Sequence, residues 1–221
     1  MTRAKNNLVS GLVWHLTHRC HDQKFLLKFA RDRKRWMYWM FVAKQKYNPI
    51  ILNYTVTSNH IHLLVYADNR KSVYRTIQLS SGRIGWEYNK RKKRIGAFWE
   101  NSYHATPVES GEHLAQCMVY IDLNMVRAGV VKHPLAWPFC GYHEIMENRE
   151  RYLLINKKEL LPMLNLDSFQ SLREYYNGLI EAELEKNGGR DEKWTSGMAV
   201  GSDAYVKKVQ DRISRHVFFA S

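Results

Sequence analysis

Cysteine is scarce in this chain of 221 residues, and the few present form no framework. Cys20, Cys117 and Cys140 are odd in number and far apart. That pattern fits neither a disulfide scaffold nor a zinc ligand set, and it suits a reducing compartment. Long apolar runs are missing too. The longest, Trp36 to Ala43, falls far short of the roughly 20 residues that cross a bilayer. The polar start, Met1 to Asn7, has no apolar segment of the signal-peptide kind. A soluble, cytoplasmic protein with no membrane partner is expected. Acidic side chains are rare where basic ones abound: residues 1–143 carry 22 Lys and Arg against 8 Asp and Glu. From Glu144 to Lys193 the balance reverses, with 8 bases and 11 acids, and the formal charge of the whole chain is +13.

Charge of that size, gathered in one part of the chain, attracts phosphate backbones and releases counterions on binding, so a nucleic-acid partner is expected. Lys90, Arg91, Lys92, Lys93 and Arg94 are its densest point. Such a run reads equally as a solvated loop or a localisation signal.

At 45% hydrophobic, the chain can bury one domain with an appendage, or two small ones. Leu8 to Thr17 alternates as a strand does, and Phe29 to Lys46 repeats apolar residues at helical intervals. Ile51 to Ala67 is rich in β-formers and is interrupted by Thr57-Ser58-Asn59, which predicts a hairpin. A helix from about Ser72 to Asn89, a strand from Phe98 to Val108 and a helix from Gly111 to Ala128, stopped by Gly129, complete the order. The succession predicts an α+β fold of ferredoxin-like, split βαβ type: an antiparallel sheet with packed helices. Leucines and tyrosines from 160 to 179 suggest short helices, Asn187-Gly188-Gly189 a hinge, and Ser202 the cap of a last helix carrying Tyr205, Val209 and Ile213. This helical C-terminal extension is expected to pack back on the rest or to serve the site.

Two motifs stand out. His60 and His62 open the second hairpin strand, where alternate side chains share a face, so their imidazoles lie side by side while Ile61, Leu63 and Val65 face the other way. Two such nitrogens are half a metal site, although an H-x-H in a strand is also read as structural. In the helix from Gly111 to Ala128, His113, Gln116, Tyr120, Asn124 and Arg127 fall within roughly 40° either side of one line, apart from the apolar stripe of Leu114, Met118, Ile121 and Met125. The Asn124 amide oxygen would complete a three-ligand set with the histidines, within reach of the Tyr120 phenol. The plain alternative for Tyr120 is half-buried packing. Arg127 reads as a phosphate contact or as a cap of the helix carboxyl end. Trp86, Tyr88, Trp99, Tyr103, Trp137 and Tyr142 are either core or platforms for unpaired bases.

Ser58-Asn59-His60-Ile61-His62-Leu63-Leu64 resembles the H-U-H metal motif, where U is hydrophobic, of single-tyrosine HUH transposases. Tyr120-Ile121-Asp122-Leu123-Asn124-Met125-Val126-Arg127-Ala128-Gly129, with Trp137-Pro138 beyond, is similar to the Y-I-x-x-N-P-V-R-A-G signature of REP-associated tyrosine transposases. Phe98-Trp99-Glu100 and Tyr103 also resemble that family. The likeness covers about residues 8–143, and Met125 departs from it where the family has Pro. It implies a catalytic domain over residues 1–143, a helical extension over 144–193 and a tail helix over 194–221. It further implies that Tyr120 is a nucleophile and that His60, His62 and Asn124 hold Mg²⁺ or Mn²⁺. The implied substrate is single-stranded or hairpin DNA of REP-like palindromes, cut through a 5′-phosphotyrosine by a monomer or a homodimer. Arg127 and the Lys90 to Arg94 run are the expected DNA contacts. Two rivals are a non-catalytic single-strand-binding module, which would carry paired aromatics where His60 and His62 stand, and a replication-initiation or relaxase-type HUH nuclease.

Overall fold

The computed structural model describes residues 8–147, 153–186 and 193–218. Met1 to Asn7 and the Asn187-Gly188-Gly189 hinge lie outside the described residues. Four strands, β1 (Val13–Arg19), β2 (Ile50–Val56), β3 (His60–Tyr66) and β4 (His104–Val108), form one sheet in the order β2-β3-β1-β4. Every pairing is antiparallel. Helix α1 (Ala30–Tyr47) joins β1 to β2, and α2 (Arg70–Lys92) joins β3 to β4. This is the α+β, ferredoxin-like arrangement predicted from the order of elements. The helices α3 (Glu112–Asp122), α4 (Asn124–Arg127), α5 (Tyr142–Met146), α6 (Lys157–Met163), α7 (Phe169–Glu185), α8 (Lys193–Ser196) and α9 (Asp203–Phe218) follow.

The pleat divides the sheet's duties. Trp14, Leu16 and His18 share one face with Ile61 and Leu63, and His18 meets Ser81 of α2 at 3.3 Å. That face therefore looks toward α2 and its partner α1. The opposite face carries His15, Thr17, His62, Asn53 and Thr55, and α3 lies on it. There Asn53 Nδ2 donates to the Met118 carbonyl at 3.1 Å and to Asp122 Oδ2 at 3.2 Å. Buried apolar residues on both sides form one core.

Three boundaries differ from the sequence reading. The first strand starts at Val13 rather than Leu8, because Gly11 takes a positive φ of 78° and ends the extended run. The fourth starts at His104 rather than Phe98. Upstream, Glu100 N donates to the Arg19 carbonyl at 3.0 Å and His21 N to the Phe98 carbonyl at 2.9 Å, which ties this stretch to the chain beyond β1's end. The helix of Tyr120 is not continuous to Ala128. It breaks at Leu123 (φ −80°, ψ 2°), and α4 begins afresh at Asn124. Gly129 is the stop it was read to be: at φ 67° its N–H bonds the Val126 carbonyl at 2.8 Å, and Val130 N–H bonds that of Met125 at 3.0 Å. This pair of bonds is the Schellman closure.

The later segments are fastened to the sheet's edges. Val56 N donates to the Phe139 carbonyl at 2.9 Å, Gly141 N to that of Tyr54 at 2.8 Å and Asn156 N to that of Ile51 at 2.7 Å, all along β2. On β4, Val200 N bonds the Pro107 carbonyl at 2.9 Å and Glu109 N bonds that of Val200 at 2.8 Å. Ser202 caps α9 as expected, its Oγ accepting from Tyr205 N at 3.3 Å, and Val209 is buried.

Candidate active site between the sheet and the tyrosine helix

His62 is the hub. Strand pairing sets it opposite Thr17 on β1 and Thr55 on β2, and each of its ring nitrogens has a protein group against it. Nε2 lies 3.1 Å from the Asn124 amide, and Nδ1 lies 2.8 Å from His15 Nε2 and 3.3 Å from Thr17 Oγ1. The His60 ring stands nearly perpendicular to that of His62, with centroids 4.8 Å apart. His60 Nδ1 is 2.7 Å from Asn59 Oδ1 and 3.0 Å from Thr57 Oγ1, so the hairpin turn orients it and directs Nε2 away from the turn.

The Tyr120 ring stands across the same cluster, nearly perpendicular to the two imidazoles, 5.8 Å from His62 and 6.0 Å from His15. Two further groups enclose it: Trp194 at 5.9 Å, and the Arg127 guanidinium 4.6 Å from the ring centroid. Tyr120 is 4% exposed, more enclosed than a polar stripe implies, because the C-terminal segment covers it. Arg127 also donates to the Tyr120 carbonyl, so it lies across the helix break as the capping reading had it while staying on the tyrosine ring. His113 keeps to the far end of α3, 3.9 Å from Glu109.

Two cavities flank the cluster. One of about 140 Å³ is lined by Thr17, Arg19, Gln23, Asn59, His60 and His62. The other, about 300 Å³, is lined by Tyr120 with Arg127, Lys186, Lys193 and Trp194 among others. Arg19 also borders a third, of about 240 Å³, with Glu100, Asn101, Ser102 and His104. His104 has its pKa lowered by partial burial and then by the Arg19 charge. Full burial brings His15 down to about 4.

The donor set fits a divalent cation. The His60 ring stands next to that of His62, and the Asn124 amide, whose Nδ2 faces His62 Nε2, would bring its oxygen to bear by rotating about its last torsion. Among the described residues no three His, Cys, Asp or Glu side chains are grouped to hold a metal.

The run from Lys90 to Arg94 is the last turn and cap of α2, not a loop. Arg91 pairs with buried Asp32, and Arg94 donates to Asn89 Oδ1 at 3.0 Å and to the Ala97 carbonyl at 2.8 Å. Lys90 and Lys92 lie near the rings of Trp86 and Phe29. None of the five lines the three cavities. Of the six aromatics singled out as stacking platforms, Trp86 is 56% exposed, while Trp137 and Tyr142 are core and Trp99 stacks on His18. His15, Arg19 and Trp194 are absent from the sequence-derived site. The alternation of His15 and Thr17 on the first strand was visible, but its register against His62 was not.

A ferredoxin-like sheet with two adjacent histidines under a helical tyrosine defines a class, and the comparisons supply the family. The family model for IS200-like transposases matches residues 8–124, and the chain belongs to that family. Among solved structures, a REP-associated tyrosine transposase bound to a REP hairpin is similar in fold, with a TM-score of 0.51 over 65% of this chain and 84% of that one at 17% identity. No curated protein matches the chain. Among the described residues no helix is long and apolar enough to cross a membrane.

Proposed function

We propose that this transposase is a metal-dependent single-strand DNA endonuclease and strand transferase acting on hairpin-forming, REP-like DNA through Tyr120. The observation that carries the reading is the convergence on His62: Asn124 at 3.1 Å, the His60 ring and the Tyr120 ring. The Tyr120 phenol oxygen attacks the scissile phosphorus. The bond from phosphorus to the 3′ oxygen breaks, the 5′ phosphate stays on tyrosine, and the 3′ oxygen leaves with a proton as a hydroxyl. Attack by a 3′-hydroxyl on the phosphotyrosine reverses the step and joins strands. When bound to His60, His62 and Asn124, Mg²⁺ or Mn²⁺ supplies Lewis-acid polarisation of the phosphate. Arg127, already on the Tyr120 ring, meets the phosphate, and Arg19 borders the path on the histidine side. Lys90, Lys92 and Lys93 serve as sequence-independent phosphate contacts farther out. Residues 1–143 form the catalytic domain, 144–193 a helical extension and 194–221 a tail, of which Trp194 lies against Tyr120. The hairpin substrate is supported by the fold shared with the hairpin-bound transposase.

Incubation of the full chain with labelled hairpin oligonucleotides and Mn²⁺ should give an adduct that survives denaturation. Tyr120→Phe should abolish the adduct and leave DNA affinity within about twofold. Equal adduct in Tyr120→Phe would remove the tyrosine from the mechanism.

A further inference from the structure

His62 stands at one end of a chain of contacts whose other end, Trp194, lies outside the stretch that matches the family. The Trp194 carbonyl oxygen lies 2.8 Å from His15 Nδ1. A carbonyl only accepts, so that nitrogen carries a proton. His62 Nε2 faces Asn124 Nδ2 at 3.1 Å; an amide N–H only donates, so Nε2 is the unprotonated, accepting nitrogen of the ring. The proton of the neutral ring then sits on Nδ1, which faces His15 Nε2 at 2.8 Å with Thr17 Oγ1 beside it at 3.3 Å. Donation thus runs from His62 through His15 to the Trp194 carbonyl.

The carbonyl at the head of this chain is available for a structural reason. α8 is a single turn, and the last carbonyls of a helix lack intrahelical partners. Gly197 N takes the Lys193 carbonyl at 3.1 Å, while that of Trp194 turns inward to His15. Thr106 Oγ1 holds the Gly197 carbonyl at 3.3 Å, and the bonds of Val200 to β4 fix the segment beyond. The His15 and His62 rings are nearly parallel, 20° apart with centroids 5.0 Å apart, the side-by-side placement that an in-plane bond between ring nitrogens requires.

We infer that His15 is a positioning residue which, held by the main-chain carbonyl of Trp194, fixes His62 in the form that offers Nε2 to a divalent cation, so that the C-terminal segment is part of the metal site. The inference rests on the metal-dependent reading above. Metal-binding histidines generally gain affinity from a partner on the second nitrogen, and loss of that partner costs about 10- to 100-fold.

The test has two arms on the full chain. Long-range ¹H–¹⁵N NMR of the imidazoles in metal-free protein should show His62 protonated at Nδ1, and an Nε2-protonated His62 would overturn the proposal. Calorimetric titration with Mn²⁺ should show about a 10- to 100-fold weaker Kd for His15→Phe and recovery of most of that loss in His15→Gln, which keeps a donor and an acceptor. Gly197→Ala, whose Cβ would come 2.5 Å from the Lys193 carbonyl, should also weaken Mn²⁺ binding by displacing the α8 turn. Unchanged Mn²⁺ affinity in both His15→Phe and Gly197→Ala would refute the role. A His62→Ala control that binds Mn²⁺ like the parent would instead sink the ligand assignment, while the NMR arm still decides whether His15 sets the tautomer.

Discussion

Asn53 shows how one side chain can serve both the core and the site. Its amide ties β2 to Met118 and Asp122 of α3, and so sets the height of Tyr120, two residues from each, above the sheet. Room for it comes from Gly141, where an added Cβ would sit 1.8 Å from Asn53 Oδ1 and 2.8 Å from Ile155 Cδ1. The backbone there is ordinary, with φ −72°, so the requirement is for space alone. Gly141→Ala should cost about 2–3 kcal/mol in urea unfolding, within the usual range for overpacking, and a variant as stable as the parent would show that Asn53 has another seat. Spacing of the motifs disclosed His60, His62, Tyr120 and Asn124 as candidates. Asn53 and His15 stayed hidden because a lone Asn or His in an apolar strand looks like any other until pairing shows what lies opposite.

At the level of the element, the break at Leu123 explains a departure from the family signature. Read as one helix, Gly111 to Ala128 places Met125 in the interior, where the Pro of related sequences would remove a hydrogen bond and clash with the preceding turn. With α4 beginning at Asn124, position 125 falls in a first turn, where Pro is tolerated. Met125→Pro should therefore fold, shifting Tm by only a few degrees. Met118→Pro, inside α3, should lose about 3 kcal/mol or more and fail to fold at physiological temperature. Comparable melting of the two would mean that the break is not a real helix start. Helical periodicity could not disclose it, since one irregular residue leaves the apolar spacing on either side almost unchanged.

For the whole molecule, the buried titratable groups predict a pH profile. Burial lowers His15 and His18 from 6.5 to about 4 and raises Asp122 from 3.8 to about 7. Between pH 4 and 6.5, unfolding thus takes up a proton at each histidine and releases one from Asp122. One net proton is gained, so metal-free protein should lose about 1.4 kcal/mol per unit as pH falls through this window. Asp122→Asn removes the opposing proton and should roughly double the slope. Urea unfolding in a chelator at pH 4.5, 5.5 and 6.5 measures both, and equal slopes would show that Asp122 does not titrate as a buried acid. The predicted order of strands and helices stands at this scale because alternation and helical spacing are local. The enclosure of Tyr120 by Trp194 was not legible, since it joins residues 74 apart with nothing in either neighbourhood to signal the other.

The fastening of both sheet edges by later segments has a consequence for the order in which the protein is made. All four strands have been synthesised by Val108, but β2 receives its outer partners only with Phe139 to Asn156, and β4 only with Val200. At about 5–20 residues per second, the nascent sheet would leave the β4 edge uncovered for roughly 5–20 s. Unpaired strand edges template pairing with other chains. The last third of the chain thus acts as a closing seam, and a ribosome stalled within it would release a product that already holds His60, His62 and Tyr120 but still has an adhesive edge.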